Sequence, residues 1–317
     1  MPHHASRYHK GRGALAIGLL LILCAAPAGP AAAAKDDSAK GPARYRDLLQ
    51  GGTVNNNLGR FELAEQSFRE ALAVCEEAFG AGHPDCGDAM TRLALEISNQ
   101  ERYEEADLAF QRAEPLVRQA SSPLDHPRYL TYLAMDMANR RQYAEAFDLA
   151  AKANQLRQGS IQITVAAAGK GEPGAKQALD NGMGDLAHGL YVQASILVRL
   201  ERYEEARVTA HLARRLIMRV KSVPTWWTAI ADELLALIDL RENDIESAEK
   251  RLQLALETKR VALGNTRAVA LSHLALGAVY NEGQRDLAAL KAMRPGLAIV
   301  NKELGEVPGV DVERLIP

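Results

Sequence analysis

A short motif recurs along this chain at nearly constant spacing, and this repetition constrains the fold more than any other feature. In each copy, a polar or glycine-containing turn precedes an aromatic or apolar residue, and alanines follow at helical spacing. The first five copies begin at Phe61, Tyr103, Tyr143, Tyr203 and Ile245, so successive starts are 42, 40, 60 and 42 residues apart. An internal period in this range predicts stacked helical hairpins and not a globular enzyme core.

The first copy shows why each unit is predicted to contain closely packed helices. Phe61, Ala64, Phe68 and Ala71 recur at steps of three and four residues, which is the pattern of one helical face. The alanines let the second helix of the unit approach the first, and Phe68 fills the hollow toward the next hairpin. Units three and four carry alanine where this aromatic stands, which predicts thinner packing in the middle of the array.

Three segments resemble a known repeat family. They are Leu-Gly-Ala-Val-Tyr at 276–280, Gly-His-Pro-Asp at 82–85 and Asn-Gln-Glu-Arg-Tyr-Glu-Glu-Ala at 99–106. These segments are similar to tetratricopeptide repeats, and more narrowly to the longer repeats of kinesin light chains. The resemblance covers about residues 45–300. It implies an all-α, right-handed superhelical solenoid of about six helical hairpins, whose first helices line a concave groove that binds a protein or peptide.

The N-terminal residues 1–34 have the pattern of a bacterial export signal. Basic residues precede an apolar run at 14–26, and Ala32-Ala33-Ala34 provides a cleavage site. The prediction is a periplasmic or secreted protein. Two alternatives place the chain at the membrane: an uncleaved signal, or a lipid attached to Cys24.

The rest of the chain is divided by changes in pattern. Within the insertion between units three and four, Ile161–Val165 alternates like a short strand and 169–174 is too rich in glycine for a helix, so an extended or mobile loop or a small hairpin is expected. The predicted segments are a flexible tether at 35–44, units one to three at 45–155, the inserted loop at 156–184, units four to six at 185–300 and a C-terminal tail at 301–317.

Composition and motifs argue against several functional classes. Without its signal the chain carries 35 basic and 40 acidic residues, and only 5% of the whole chain is aromatic, which argues against nucleic acid as a partner. No histidine or cysteine pair has metal-ligand spacing, and Gly174 is not followed by the lysine and hydroxyl residue of a phosphate-binding loop. The sequence therefore predicts no metal, no cofactor and no enzyme.

Two cysteines remain after the signal, and their state is left open by the sequence. Cys75 and Cys86 flank a turn between neighbouring units. In an oxidising compartment they either pair across the two repeats or remain small buried thiols.

Aligned repeats place polar residues at one position near the end of each first helix. Such a column has two interpretations: its side chains bind a peptide in the groove, or its asparagines end helices by tolerating a left-handed backbone. Other first-helix residues project toward the same groove. The candidate groove residues are Asn57, Asn99, Asn139, Arg199 and Arg241 in the column, together with Arg92, Tyr132 and Tyr191.

The predicted function is that of an exported scaffold that binds a protein or peptide in its concave groove. One alternative is a regulatory subunit that acts in trans on a peptidase or another envelope enzyme. Another is a structural solenoid that associates with itself through its terminal hairpins.

Overall fold

A computed structural model describes residues 40–221 and 223–304 of the chain. In these ranges there are twelve α-helices and no β-strand, with a short 3-10 helix at Pro84–Cys86 between the second and third helices. The helices are α1 Lys40–Asn57, α2 Phe61–Phe79, α3 Gly87–Asn99, α4 Tyr103–Gln119, α5 Asp125–Asn139, α6 Tyr143–Gly169, α7 Ala175–Arg199, α8 Tyr203–Ile217, α9 Trp227–Arg241, α10 Ile245–Leu263, α11 Arg267–Glu282 and α12 Asp286–Leu304.

Successive helices pair into six hairpins, from α1 with α2 to α11 with α12. Each second helix also packs against the first helix of the next hairpin, and the first helices α3, α5, α7 and α9 contact one another in order. The predicted all-α solenoid of helical hairpins is therefore confirmed.

Every hairpin turns through a residue with a positive φ, located two residues after the first helix ends. The first hairpin uses Gly59, at φ 73°, and the others use non-glycine residues such as Glu101, at φ 62°. The equivalent residues in the remaining hairpins are Arg141, Glu201, Asn243 and Gln284. The turns therefore share one geometry, which explains why the motif recurs with so little change in spacing.

The apolar core follows the small and aromatic positions of the repeat. Ala64, Phe68 and Ala71 have no exposed surface. A Cβ atom added at Gly52 of α1 would lie 2.5 Å from the Phe68 ring, so the first helix needs glycine where the ring packs. One core cluster runs from the first to the fifth hairpin, and a second joins the fifth to the sixth.

The prediction of an inserted loop at 156–184 is wrong. Helix α6 continues to Gly169 and α7 begins at Ala175, so most of the insertion lengthens the second helix of the third hairpin and the first helix of the fourth. Gly171 and Gly174, both with positive φ, lie at the turn between these two helices. The segment Ile161–Val165, predicted as a strand, lies within α6 and is helical. A Cβ at Gly182 of α7 would lie 3.3 Å from Ile161, so the two extended helices pack on each other, and this packing overrides the strand preference of β-branched residues.

Two terminal boundaries also differ from expectation. Residues 40–44, expected in a flexible tether, belong to α1, and residues 301–304, expected in a loose tail, belong to α12. The helical pattern therefore extends beyond the repeat motif at both ends. The predicted signal at 1–34 and the rest of the tether and tail lie outside the described residues.

Cys75 and Cys86 form a disulfide bond. The bond links α2 of the first hairpin to the 3-10 helix that leads into α3, so it joins the first two repeats covalently. Within the two described ranges, no helix is both long enough and apolar enough to cross a lipid bilayer.

Candidate functional site

The five column residues occupy one structural position. Asn57, Asn99, Asn139, Arg199 and Arg241 are the last residues of α1, α3, α5, α7 and α9. The three asparagines are half-buried, and the two arginines are exposed. The column therefore changes from sheltered amides in the first three units to accessible guanidinium groups in the next two.

Two adjacent members of the column, Asn99 and Asn139, are hydrogen-bonded to each other. The Asn139 side-chain amide donates hydrogen bonds to Asn99 Oδ1 at 3.1 Å and to Ser98 Oγ at 3.0 Å. The left-handed interpretation of the asparagines is wrong, because the positive φ belongs to Glu101 and Arg141 and not to Asn99 and Asn139. These asparagines instead connect successive first helices.

A buried carboxyl group lies beneath this asparagine ladder. Glu96 has no exposed surface, and it accepts hydrogen bonds from Asn56 at 2.7 Å and Asn99 at 3.2 Å. Burial raises the pKa of Glu96 to about 8, against the smaller opposing effect of the two amide hydrogen bonds. The ladder is therefore joined to a buried carboxyl group whose pKa is raised well above the ordinary value.

The other predicted groove residues are well covered. Arg92, Tyr132 and Tyr191 are 4%, 1% and 4% exposed. Arg92 pairs with Asp88 at 2.9 Å, donates to Thr53 Oγ1 at 3.1 Å and lies over the Tyr132 ring at 5.7 Å. Arg92 thus ties α3 to both neighbouring first helices, α1 and α5.

Beside Tyr132, a further ion pair crosses from α5 to α7. Arg128 donates two hydrogen bonds to the Asp185 carboxylate, at 3.2 and 2.7 Å, and lies 3.4 Å from Asp125. Burial, followed by the nearby charge of Asp88, raises the pKa of Asp125 to about 6. The first helices of the second to fourth units therefore carry a buried network of acidic and basic side chains.

Arg157, for which the sequence predicts no role, lies close to this network. This arginine on α6 has no exposed surface, and burial lowers the pKa of its guanidinium to about 10. In the sequence it stands among polar residues and looks like part of a solvated helix face. The available signal was its register, because it stands at the alignment position that holds Cys75, Val117 and Ile217 in other units, all of them buried.

The described part of the chain contains no cluster of three or more histidine, cysteine or acidic side chains with the geometry to hold a metal ion. The chemistry that the described groove residues offer is hydrogen bonding and ion pairing.

Sequence comparison identifies the repeat directly in the first units. The family model for the tetratricopeptide repeat matches residues 49–119. The human protein "Tetratricopeptide repeat protein 19, mitochondrial" is 32% identical over 103 residues, which is 32% of this chain and 27% of that protein. Its mouse counterpart (Mus musculus) is 28% identical over 103 residues, which is 28% of its own length. The chain thus spans little more than a quarter of the length of these relatives.

Solved structures extend the similarity to most of the chain. BtubC (BKLC) from P. vanneervenii superposes with a TM-score of 0.54 and 14% identity, covering 80% of this chain and 94% of that one. A variant form of the "Podosopora anserina putative kinesin light chain nearly identical TPR-like repeats" superposes with a TM-score of 0.50 and 13% identity, covering 70% of this chain and 98% of that one. At these identities the similarity shows the fold alone. The fold is a tetratricopeptide-repeat solenoid, and the predicted resemblance to kinesin-light-chain-like repeats is confirmed.

Proposed function

We propose that this chain is an exported, non-catalytic scaffold that binds a protein or peptide partner along the concave face formed by its first helices. The observation that carries the proposal is the column at the ends of α1, α3, α5, α7 and α9, where polar side chains occupy one position in five successive units. A tetratricopeptide fold supports a role in protein–protein interaction.

Arg199 and Arg241 are the proposed contacts with the partner. Both are exposed, and a guanidinium group presents a planar fork that matches a carboxylate. Asn57, Asn99 and Asn139 extend the same line. The amide atoms that the hydrogen bonds among Asn99, Asn139, Ser98 and Glu96 leave unused are the proposed contacts with a peptide backbone.

Arg92, Tyr132 and Tyr191 are proposed to shape the floor of the groove. Their burial and the ion pair of Arg92 with Asp88 hold this floor in place before a partner arrives. A preformed surface loses little conformational entropy on binding, which favours affinity.

Export is proposed from the pattern of residues 1–34, and the Cys75–Cys86 disulfide supports it, because such bonds persist in oxidising compartments. Cell fractionation and sequencing of the mature N-terminus test this part. A periplasmic protein that begins at Lys35 is expected. A membrane-bound protein that begins at Met1 or Cys24 would contradict cleavage before Lys35 and indicate an anchored adaptor.

Affinity capture tests the binding role. The bait is residues 35–317, compared with the same bait carrying Arg199→Glu and Arg241→Glu. A matched control carries Arg112→Glu and Arg215→Glu, which make the same change of charge at exposed positions on the second helices α4 and α8. All three baits are first compared for helicity by circular dichroism.

The expected result is a partner that is retained by the wild type and by the control but lost by the Arg199→Glu/Arg241→Glu bait. Equal capture by all three baits would contradict binding of the partner in the concave groove. Capture of a peptidase would identify a regulatory subunit that acts in trans, and concentration-dependent sedimentation without any captured partner would identify a self-associating solenoid.

A further inference from the structure

Arg157 is a buried cation without a carboxylate partner among the described residues. Its Nη1 donates one long hydrogen bond to Asn154 Oδ1 at 3.3 Å, and its buried Nε has no hydrogen-bond partner. The nearby Asp185 carboxylate is already engaged by Arg128 through two hydrogen bonds. A buried charge is costly unless it is paired, so this position needs a physical explanation.

The chain makes room for this guanidinium. A Cβ added at Gly189 of α7 would lie 2.6 Å from Arg157 Nη1 and 2.1 Å from Asn154 Oδ1. Any other residue at 189 would therefore displace both side chains. The glycine allows an arginine from the second helix α6 to pass close to the backbone of the first helix α7.

A second buried cation, Lys259, stands at the same register and has the carboxylate partner that Arg157 lacks among the described residues. Lys259 follows the start of α10 by fourteen residues, as Arg157 follows the start of α6 (259 − 245 and 157 − 143). Lys259 is also buried, but it pairs with Glu233 at 2.6 Å, and Ser272 donates a hydrogen bond to the same carboxylate.

The third and fourth units have no acidic residue at the positions that correspond to Glu233 and Ser272. Aligning the small residues Ala134 with Ala236, and Ala194 with Gly277, places Thr131 at the position of Glu233 and Gly189 at the position of Ser272. The fifth and sixth units thus supply an acid to their buried cation. The third and fourth units supply a threonine and a glycine.

Other hydrogen-bond donors surround the same turn of α7. Tyr132 and Trp227 both contact the His188 ring, with ring centroids 6.3 and 5.7 Å from it. Tyr132 Oη and Trp227 Nε1 are buried and have no hydrogen-bond partner. Arg157 Nε is a third buried donor without a hydrogen-bond partner. An oxygen acceptor with negative charge is the group that such donors would bind.

We propose that the junction of the third and fourth units binds a carboxylate carried by the partner, either an acidic side chain or a C-terminus, with Arg157 as its counter-ion. This inference rests on the proposed function and deepens it, because it states which chemical group the partner places on the inner face. The bound carboxylate takes the role that Glu233 has beside Lys259.

Tryptophan fluorescence provides a direct assay. The chain has two tryptophans, Trp226 and Trp227, and Trp227 contacts His188 at the site. Three probes are titrated into the full chain at ionic strength held constant with sodium chloride. N-acetylglutamate amide carries a side-chain carboxylate, N-acetylglutamine carries a C-terminal carboxylate, and N-acetylglutamine amide carries neither.

A saturable spectral change with either carboxylate, and none with the neutral amide, is expected. The stronger of the two carboxylate probes identifies the source of the group. The proposal is overturned if neither carboxylate produces a saturable change, or if inorganic phosphate binds more tightly than both.

Two variants test the role of Arg157. Arg157→Met should weaken carboxylate binding at least tenfold, and Thr131→Glu should do the same by supplying an internal acid. The matched controls are Thr131→Gln and Arg112→Met. Arg157→Met should also raise the Tm of the unliganded chain by a few degrees, because an unpaired buried charge is replaced by an apolar side chain of similar size.

A lower Tm for Arg157→Met, or unchanged probe binding, would show that the arginine is structural and would overturn the proposal. The result is independent of the capture experiment, which depends on Arg199 and Arg241. Probe binding without a captured partner would support the carboxylate site and contradict partner binding through Arg199 and Arg241. A captured partner without probe binding would contradict only the carboxylate site.

Discussion

Substitution of Lys259 by methionine tests how much a buried ion pair contributes to the unfolding free energy of this fold. The side chains of Lys259 and Glu233 are 7% and 12% exposed, and the lysine Nζ lies 2.6 Å from Glu233 Oε2. At an effective dielectric constant of about 20, two unit charges at this distance attract by roughly 6 kcal/mol. Because the pair is largely desolvated, removing the lysine leaves an acid with only the hydroxyl of Ser272 as a described side-chain partner.

The expected loss of unfolding free energy for Lys259→Met is about 3–5 kcal/mol. The double variant Lys259→Met/Glu233→Gln should recover most of this loss, since both charges are then absent. Urea unfolding followed by the fluorescence of Trp226 and Trp227 is the suitable assay, because both tryptophans lie at the start of the unit that contains Glu233.

A loss below about 1 kcal/mol for Lys259→Met, the range of an exposed ion pair, would refute this reasoning. A double variant as unstable as the single one would also refute it. The comparison with Arg157→Met is informative, because the same kind of substitution at the same register is expected to have the opposite sign.

Three further predictions follow from the described contacts. Replacing Cys75 and Cys86 by serine should cost about 3 kcal/mol by releasing a short closed loop, measured as the difference in urea unfolding from the oxidised chain; no difference would contradict the covalent link. Because burial raises the pKa of Glu96 to about 8, the folded chain retains a proton that the unfolded chain releases. Unfolding free energy should therefore fall by roughly 1 kcal/mol per pH unit between about pH 5 and 8, and Glu96→Gln should flatten this slope; an unchanged slope would exclude Glu96 as its source. Phe68→Ala should cost about 3–5 kcal/mol in urea unfolding, and Gly52→Val in the same chain should recover part of it, because a side chain at Gly52 would enter the space of the ring; no recovery would contradict that contact.

The repeat units were predictable because each unit carries its own local signals. The alanines at 64 and 71 are fully buried, and the turn residues Gly59 and Glu101 both adopt a positive φ despite their different side chains. A pattern that recurs six times averages out local exceptions. This is why the fold class followed from the sequence even where individual units depart from the motif.

The insertion was predicted incorrectly because it occurs once and cannot be aligned with another unit. The alternation at Ile161–Val165 is a local strand signal, and the helix forms because α6 and α7 pack together beyond the repeat. This tertiary contact outweighs the intrinsic preference.

The role of Arg157 could not be recognised from its own neighbourhood in the sequence. Charged residues on helices usually face solvent, whereas the Arg157 guanidinium fits beside α7 at a position where residue 189 has no side chain. Comparison of its register with Lys259 gives the missing signal. The column ending in Arg199 and Arg241 was visible in the sequence, but its function depends on a partner.

Hydrogen–deuterium exchange of the full chain with and without its captured partner tests the central claim most directly. Binding on the concave face predicts slower exchange in the first helices, above all α5, α7 and α9, with little change in the second helices α4, α8 and α10. Protection confined to the second helices, or to the extended ends of α6 and α7, would contradict the account and place the partner on another surface.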